Sequence, residues 1–271
     1  MIIGREGFDM SEGEKFFTDG EAYERRMGRW SRVVGEVFLD WLDVPKGLRW
    51  IDVGCGNGAF TEVLIARCAP SSVSAVDPSE GQLSYARKRP AAKLAEYRVG
   101  DAQALPYPDR SFDAATMALA ISFVPDPIKA AAEMARVVRP GGCVATYMWD
   151  LPGGGIPIQP MFRALKSLGI AVSVPGTEVS RRDDMQAVWE KAGLQSIDTR
   201  VIRIPVVYSD FNDFWQSYSV PEGPSGMAIR KMSPSQIEQL KATLREQLPT
   251  SPDGRIAYEA FANAVMGRVP G

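Results

Sequence analysis

The 271-residue sequence contains no histidine and no excess of basic residues. The absence of histidine excludes His-based catalytic triads, histidine general bases and most zinc and non-haem iron centres. The net charge of -2 provides no basic field of the kind that attracts nucleic acids or anionic membranes. No apolar stretch approaches the roughly 20 residues that cross a bilayer. We therefore expect no metal site, no nucleic-acid partner and no membrane partner.

Cysteine is also scarce, and its three positions are scattered. Cys55, Cys68 and Cys143 lack the spacing of a disulfide framework or a metal site. The first residues, 1–11, carry acids and glycines without the apolar core of a signal peptide, so we expect a cytoplasmic protein. The hydrophobic content of 45% and charged content of 24% are ordinary for a soluble globular protein.

The most informative stretch is Trp50–Phe60, with the sequence WIDVGCGNGAF. A short apolar run leads into Gly54, Gly56 and Gly58, and a helical pattern follows. Residues without Cβ atoms allow unusual backbone dihedrals and close approach of a ligand. The helix N-terminus beyond them offers free N–H groups and the positive end of a dipole. This pattern predicts a strand that turns sharply into a helix at a nucleotide-type cofactor site.

The rest of the chain alternates strand and helix patterns, which predicts an α/β, doubly wound, mostly parallel sheet of seven strands with helical lid elements. Because crossovers are right-handed, the strand C-termini and any ligand should lie at one edge. We expect strands at 50–53, 73–77, 94–99, 112–119, 143–149, about 195–207 and about 255–265. We expect helices at 21–42, 58–69, 79–89, 126–138, 161–168, 182–192, 211–218 and 233–248, and a tight turn at 139–142.

The sequence shows neither an internal repeat nor a low-complexity linker, so we expect one domain over residues 1–271. The cofactor-binding core should comprise about 45–150. Segments of about 1–44, 151–181 and 208–250 should form lid and acceptor elements around it.

The glycine turn alone does not identify the cofactor. Gly54 to Ala59 also satisfies the dinucleotide pattern G-x-G-x-x-A, with Asp77 at a suitable distance for a ribose, so a nicotinamide-dependent oxidoreductase is an alternative. However, Asp52, Asp77 and Asp101 lie at or near the ends of three successive predicted strands. Three carboxylates at one edge would repel a diphosphate. A cationic, phosphate-free cofactor such as S-adenosylmethionine (SAM) suits that edge better.

Four motifs then follow in order, namely DVGCGNG at 52–58, VDPS at 76–79, GDAQALPY at 100–107 with SFD at 111–113, and RPGG at 139–142. With these motifs, residues 48–150 resemble the class I SAM-dependent methyltransferases, in the group that contains the ubiquinone/menaquinone C-methyltransferases. Residues 23–31 are also similar to the entry helix of bacterial members, whereas the resemblance beyond residue 150 is looser. The resemblance implies a Rossmann-like fold and SAM as cofactor, with S-adenosylhomocysteine (SAH) as product.

The resemblance also implies roles for individual residues around SAM. The turn should lie under the methionine and ribose, Asp77 should bind the ribose hydroxyls, and Asp101 with the Ala102 backbone should read the adenine edge. The expected cofactor-binding residues are Tyr23, Arg29, Asp52, Gly54, Cys55, Gly56, Asp77, Pro78, Gln82, Asp101, Ala102, Ala118 and Leu119. Tyr23 and Arg29 are candidates for the SAM carboxylate, although the arginine cluster at 25–29 also fits a solvated helix face.

Methyl transfer is a displacement at a carbon that the sulfonium already activates, so positioning and desolvation can supply most of the catalysis. If the acceptor must lose a proton, Asp150 and Tyr147 are candidate bases, with purely structural roles as the alternative. Aromatic residues in the lid segments predict a pocket for a small apolar or aromatic acceptor. They are Phe16, Phe17, Trp30, Phe123, Trp149, Phe162, Phe214, Trp215 and Tyr218, some of which should only pack the lid onto the sheet.

The sequence leaves open the acceptor atom and the choice between monomer and homodimer. A non-catalytic SAM-binding sensor also remains an alternative, because cofactor motifs are better marked than acceptor chemistry.

Overall fold

A computed structural model of the chain describes residues 27–172, 174, 176–219 and 223–271. The strands are β1 Arg49–Val53, β2 Ser72–Asp77, β3 Ala95–Val99, β4 Phe112–Ala118, β5 Val138–Trp149, β6 Gln195–Tyr208 and β7 Ile256–Arg268. The helices are α1 Arg29–Leu42, α2 Ala59–Cys68, α3 Glu80–Ala86, α4 Pro127–Val137, α5 Gln159–Ser167, α6 Arg182–Lys191, α7 Phe211–Tyr218, α8 Gly223–Arg230 and α9 Pro234–Gln247.

The strands form one seven-stranded sheet in the order β3-β2-β1-β4-β5-β7-β6. Strands β1 to β5 pair in parallel, whereas β7 runs antiparallel to both β5 and β6. The prediction of a doubly wound, mostly parallel sheet with flanking helices is confirmed. The strand order reverses between β1 and β4, and such a switch point opens a ligand crevice at the C-terminal edge of a sheet.

The helix α1 shows how the apolar pattern becomes packing. Its buried positions recur at helical spacing, and Val34 and Phe38 are fully buried. The Phe38 ring lies 4.5 Å from the ring of Tyr147 on β5 and 6.0 Å from that of Phe60 on α2. This packing joins α1 to the centre of the sheet and to the helix that follows the glycine turn.

The β6–β7 pair extends well beyond the rest of the sheet. Strand β5 stops pairing with β7 at Trp149, opposite Ala262, which itself pairs with Ile202 of β6. The two outer strands continue to the pair Tyr208 and Ile256, and so add six residues of β6. At about 3.4 Å per residue this projection is about 20 Å long. We call it the overhanging ribbon; it stands beside the edge at which β1, β2 and β4 end.

Several element boundaries differ from the sequence-based expectation. Residues 139–142, expected as a turn before the fifth strand, lie within β5, because Val138 already pairs with Phe112 before the register shifts to Cys143. Gly141, with a φ of +75°, carries the chain through this irregularity. Helix α3 ends at Ala86 rather than near residue 89, and α8 was not predicted, because its short segment contains two glycines and a proline.

Candidate functional site

The turn between β1 and α2 holds its three glycines in the left-handed region, with φ values of +69°, +52° and +78° at Gly54, Gly56 and Gly58. Gly54 N–H donates to the carbonyl of Val76 on β2 (2.7 Å). A Cβ atom on Gly54 would lie 2.7 Å from the Cβ of Ala120, just after β4. The turn is therefore wedged between the C-terminal ends of the two neighbouring strands, where only glycine fits.

Asp77 at the end of β2 faces this turn. One carboxylate oxygen accepts the N–H of Gly56 (2.8 Å) and the other accepts the N–H of Ser79 (2.9 Å). Burial raises the pKa of the Asp77 carboxyl, and the two backbone hydrogen bonds oppose that rise. Gln82 of α3 is buried nearby, its Oε1 4.0 Å from where a Gly56 Cβ would stand. The structure thus brings Asp77, Gly56 and Gln82 to one side of the crevice, beside Pro78.

Asp52 is fully buried behind the same turn. One carboxylate oxygen accepts the hydroxyl of Thr61 on α2 (2.6 Å), and the other has no hydrogen-bond partner among the residues that the structure describes. Burial, supported by the charge of Asp77, raises the pKa of Asp52 to about 7, although the Thr61 hydrogen bond favours ionisation. The same burial and the two carboxylates hold the pKa of the Cys55 thiol well above its usual value, which disfavours a nucleophilic role for it.

Asp101 lies differently from the other two carboxylates. It is exposed, two residues beyond the end of β3, and its carboxylate accepts the N–H of Gln103 (2.9 Å). The preceding N–H, from Gly100, donates to the carbonyl of Asp77 (3.2 Å), which keeps Asp101 and Ala102 beside the end of β2.

The chain after β4 supplies the opposite wall of the crevice. Leu119 has a φ of +56°, unusual for a residue with a side chain, and its N–H donates to the carbonyl of Tyr147 (2.9 Å). Ala118 ends β4, and Leu119 and Ala120 follow it directly against the glycine turn. Sequence reasoning identified this segment only through the family resemblance, because nothing in its composition signals the strained backbone.

Arg29 and Trp30, two of the candidate residues near the N-terminus, lie beside the overhanging ribbon. The Arg29 guanidinium lies 4.5 Å from the ring centres of both Trp30 and Tyr208, and pairs with Asp213 of α7 at 3.6 Å. Arg29 also donates to the Ser217 hydroxyl (3.4 Å). These contacts attach the start of α1 to β6 and α7. Tyr23, Phe16 and Phe17 lie outside the described residues, so their predicted roles stay predictions.

The predicted acceptor aromatics divide into two groups. Trp30, Phe214 and Tyr218 are buried in one cluster around Tyr208, with centroid separations of 5.2 to 6.1 Å from its ring. By contrast, Phe123 is 38% exposed, and Phe162 and Trp215 are half-buried. The first group has the surroundings of packing residues, whereas the second retains accessible ring surface. Trp149, at the end of β5, is buried, and its indole N–H has no partner among the described residues.

Sequence reasoning missed Tyr208 and Tyr258 in that cluster. The hydroxyls of Tyr208 and Tyr218 share a hydrogen bond of 2.5 Å, and Tyr258 donates to the carbonyl of Pro157. The alternation of buried residues along β6 continues through Val206 to Tyr208 and could have indicated it.

The two candidate bases have contrasting surroundings. Tyr147 is fully buried between Phe38 and Phe60, which favours a packing role. Asp150 is half-buried after β5, where its carboxylate accepts the N–H of Gly153 (2.8 Å). Among the described residues, none of the helices combines the length and the apolar character that a membrane crossing needs.

Comparisons with known proteins agree with this geometry. Residues 51–146 match the family described as a methyltransferase domain. The chain is 31% identical over 175 residues to the demethylmenaquinone methyltransferase of Bacillus licheniformis, an alignment that covers 59% of this chain and 75% of that enzyme. For other demethylmenaquinone methyltransferases that it matches, the alignment spans only about half of their length, 50% and 48% in two cases.

Solved structures share the fold at low identity. The YcgJ protein of Bacillus subtilis matches with a TM-score of 0.56 at 17% identity, over 88% of this chain and 99% of that one. The phosphoethanolamine N-methyltransferase 2 of Haemonchus contortus, crystallised with SAH, matches with a TM-score of 0.55 at 18% identity, over 93% of this chain and 57% of that one. The sheet order, the glycine turn and these relatives converge: the chain belongs to the class I SAM-dependent methyltransferases.

Proposed function

We propose that this chain binds SAM in the crevice between the glycine turn, the end of β2 and the segment after β4, and methylates a hydroxylated, apolar aromatic ring. In this proposal residues of about 45–150 hold the cofactor. The segments of about 1–44, 151–181 and 208–250 form the acceptor side of one domain.

The observation that carries the cofactor assignment is the contact between Asp77 and Gly56. Each Asp77 oxygen accepts one backbone N–H and retains a second lone pair, so the carboxylate is fixed in orientation and still able to bind a vicinal diol. A carboxylate so placed suits two ribose hydroxyls. Gly56 leaves open space in front of it, because its missing Cβ meets only Gln82, at 4.0 Å.

SAM, when bound, supplies a methyl carbon already activated by the sulfonium. The chain then has to orient the acceptor, exclude water and provide negative charge near the cation. Asp77 supplies that charge from the end of β2, where burial weakens its screening by solvent. Asp150 stays the candidate base for an acceptor that must lose a proton.

The acceptor class is supported by the ring surface that remains accessible and by the neighbouring charges. Phe123, Phe162 and Trp215 offer apolar surface, whereas Arg29 is already paired with Asp213. A phosphorylated amine would need a cation to bind its phosphate. The ring of demethylmenaquinone, after which the Bacillus licheniformis relative is named, would in its reduced form be sheltered by aromatic side chains.

The test uses tritiated SAM with two acceptors in parallel, a chemically reduced demethylmenaquinone analogue with a short isoprenoid tail and phosphoethanolamine. We expect label in the quinol alone. Transfer to phosphoethanolamine but not to the quinol would contradict the proposed acceptor class.

Calorimetry with SAH and NADPH separates the alternatives for the cofactor. Binding of SAH without methyl transfer to either acceptor or to a metabolite extract would favour a SAM sensor. Binding of NADPH without SAH would favour an oxidoreductase and contradict the proposal.

A further inference from the structure

The loop between β3 and β4 begins beside the cofactor crevice. Its first residues form a tight turn, in which the Asp101 carboxylate accepts the N–H of Gln103 (2.9 Å) and the Asp101 carbonyl accepts the N–H of Ala104 (3.0 Å). The carboxylate is exposed, so its position depends on where this turn is held. At the start the turn is held by the hydrogen bond from Gly100 to Asp77.

The other end of the turn is held by an ion pair on α4. The carboxylate of Glu133 accepts the N–H of Leu105 (2.8 Å), while the guanidinium of Arg136 donates to the carbonyls of Leu105 (3.1 Å) and Tyr107 (2.9 Å). Glu133 and Arg136 also bond each other at 2.7 Å. Both backbone polar groups of Leu105 are therefore bound by two charged side chains one helical turn apart.

This arrangement differs from an ordinary surface salt bridge. Exposed pairs contribute little to stability, but here the charged groups are directed at the main chain of a neighbouring loop. Arg136 lowers the pKa of Glu133 below its usual range, so the pair is ionised at neutral pH. The planar guanidinium donates to these two carbonyls and to the carboxylates of Glu133 and Asp109 from N–H groups fixed in one plane, a geometry that a lysine ammonium does not reproduce. The Leu105 side chain is buried in the core, so the loop is held by packing and by charge.

We propose that Arg136, together with Glu133, is a positioning residue of the adenine subsite, and that it acts by holding the 101–104 turn in the place where Asp101 meets the adenine amine and the Ala102 N–H meets the ring. This inference rests on the proposed function, together with the expectation from the family resemblance that those two groups contact adenine. Arg136 itself lies one loop away from the ligand.

The test compares two ligands on the full chain by calorimetry, SAH and S-inosylhomocysteine. The second carries a ring carbonyl and a ring N–H where adenine has its amine and a ring acceptor, so correctly placed Asp101 and Ala102 reject it. In Arg136→Gln we expect SAH affinity to fall about tenfold, since losing about 1.4 kcal/mol corresponds to that factor. Affinity for the inosyl ligand should change by less than about twofold, so the ligand preference collapses.

Arg139→Gln is the matched control, because it removes the same charge three residues later from an arginine that bonds Asp113 instead. It should keep the wild-type preference. Equal weakening of both ligands in Arg136→Gln would indicate general damage to the site and overturn the inference, as would unchanged SAH affinity. If that variant does not fold, Arg136→Lys should show a smaller collapse, and full wild-type preference there would overturn it equally.

Failure of the proposed function is visible before any variant is made. If the wild-type protein binds SAH and S-inosylhomocysteine equally well, Asp101 and Ala102 do not recognise adenine. The proposed role of Arg136 would then be wrong as well.

Discussion

The glycine-turn crevice and the aromatic cluster around Tyr208 lie against the same sheet but have opposite properties. At the crevice, a carboxylate is left able to meet a polar ligand, as the remaining lone pairs of Asp77 illustrate. Beside the ribbon, the rings of Phe214 and Tyr218 on α7 pack against that of Tyr208 on β6, and all three are completely buried. The first region retains unsatisfied polar groups that a ligand can satisfy, whereas the second gains rigidity.

If this comparison holds, substitutions in the two regions should separate ligand binding from stability. Changes in the cluster around Tyr208 should lower the free energy of unfolding and leave SAH affinity nearly unchanged. Changes that remove a ligand contact in the crevice should lower SAH affinity, whether or not they also change stability.

The largest effect is expected for Phe214→Ala on α7, in the cluster around Tyr208. Removing a fully buried ring that touches Tyr208 and Tyr218 should lower the free energy of unfolding by about 3–5 kcal/mol. Urea denaturation measures the loss, and calorimetry on the folded variant should give SAH affinity within about twofold of wild type. Phe211→Ala, at a half-buried ring on the same helix, should lose much less. A large drop in SAH affinity for Phe214→Ala would show that the cluster also contributes to ligand binding, and would contradict the comparison.

The second effect is expected for Gly56→Val. A branched side chain at a φ of +52° is strained, and it would occupy the open space in front of Asp77, so SAH affinity should fall at least about 100-fold. Gly47→Val is the control, because Gly47 also has a left-handed φ, +78°, with nothing near its missing Cβ, and lies at the opposite end of β1. The control should show a similar loss of stability with normal SAH binding. Normal SAH binding by Gly56→Val would contradict the proposed position of the cofactor beside Gly56.

The third effect concerns pH and Asp52. Burial raises its pKa to about 7 in the folded protein, so between about pH 4 and 7 the folded state keeps a proton that the unfolded state has lost. Stability in this window therefore falls as pH rises. Asp52→Asn, which stays neutral, should raise the free energy of unfolding by on the order of 2 kcal/mol at about pH 8. The gain should shrink severalfold at about pH 4.5 in urea denaturation. A gain equal at both pH values would show that Asp52 is ionised throughout.

The smallest effect is expected for Asp77→Ala. Losing a charge-assisted pair with the ribose should weaken SAH by at least about 1.5 kcal/mol, or roughly tenfold, in calorimetry. Asp126→Ala is the control, since Asp126 caps α4 with an equivalent backbone hydrogen bond away from the crevice. Unchanged affinity in Asp77→Ala would mean that the ribose lies elsewhere.

Much of the fold could be predicted because local sequence patterns indicate its strands and helices. The alternation of strands and helices, the four motifs and the breaker residues indicated seven strands and the sheet class, and most boundaries lie within a few residues. The errors occurred where tertiary pairing outweighs local preference. The 139–142 segment reads as a turn, yet Val138 gains a strand partner in Phe112, and α8 forms within a segment of poor helix propensity.

The site was predictable in its chemistry more than in its geometry. Asp77 and the glycines were identified as a unit, and the structure brings them into direct contact. The three carboxylates, however, do not behave alike, because Asp52 and Asp77 are buried whereas Asp101 is exposed. Burial depends on the helices that cover each strand end, which no local pattern records. For the same reason the aromatic residues of the lid could be listed but not divided into packing and accessible rings.

The order of residues thus determined which groups occur at each strand end, because periodicity, glycine placement and charge act along the chain. Only the tertiary structure decided which of those groups meet. The bonds from Arg136 to Leu105, the six-residue overhang of β6 and the unpartnered oxygen of Asp52 all depend on segments distant in sequence. Contacts of this kind arise from packing across the sheet, which a one-dimensional pattern does not encode.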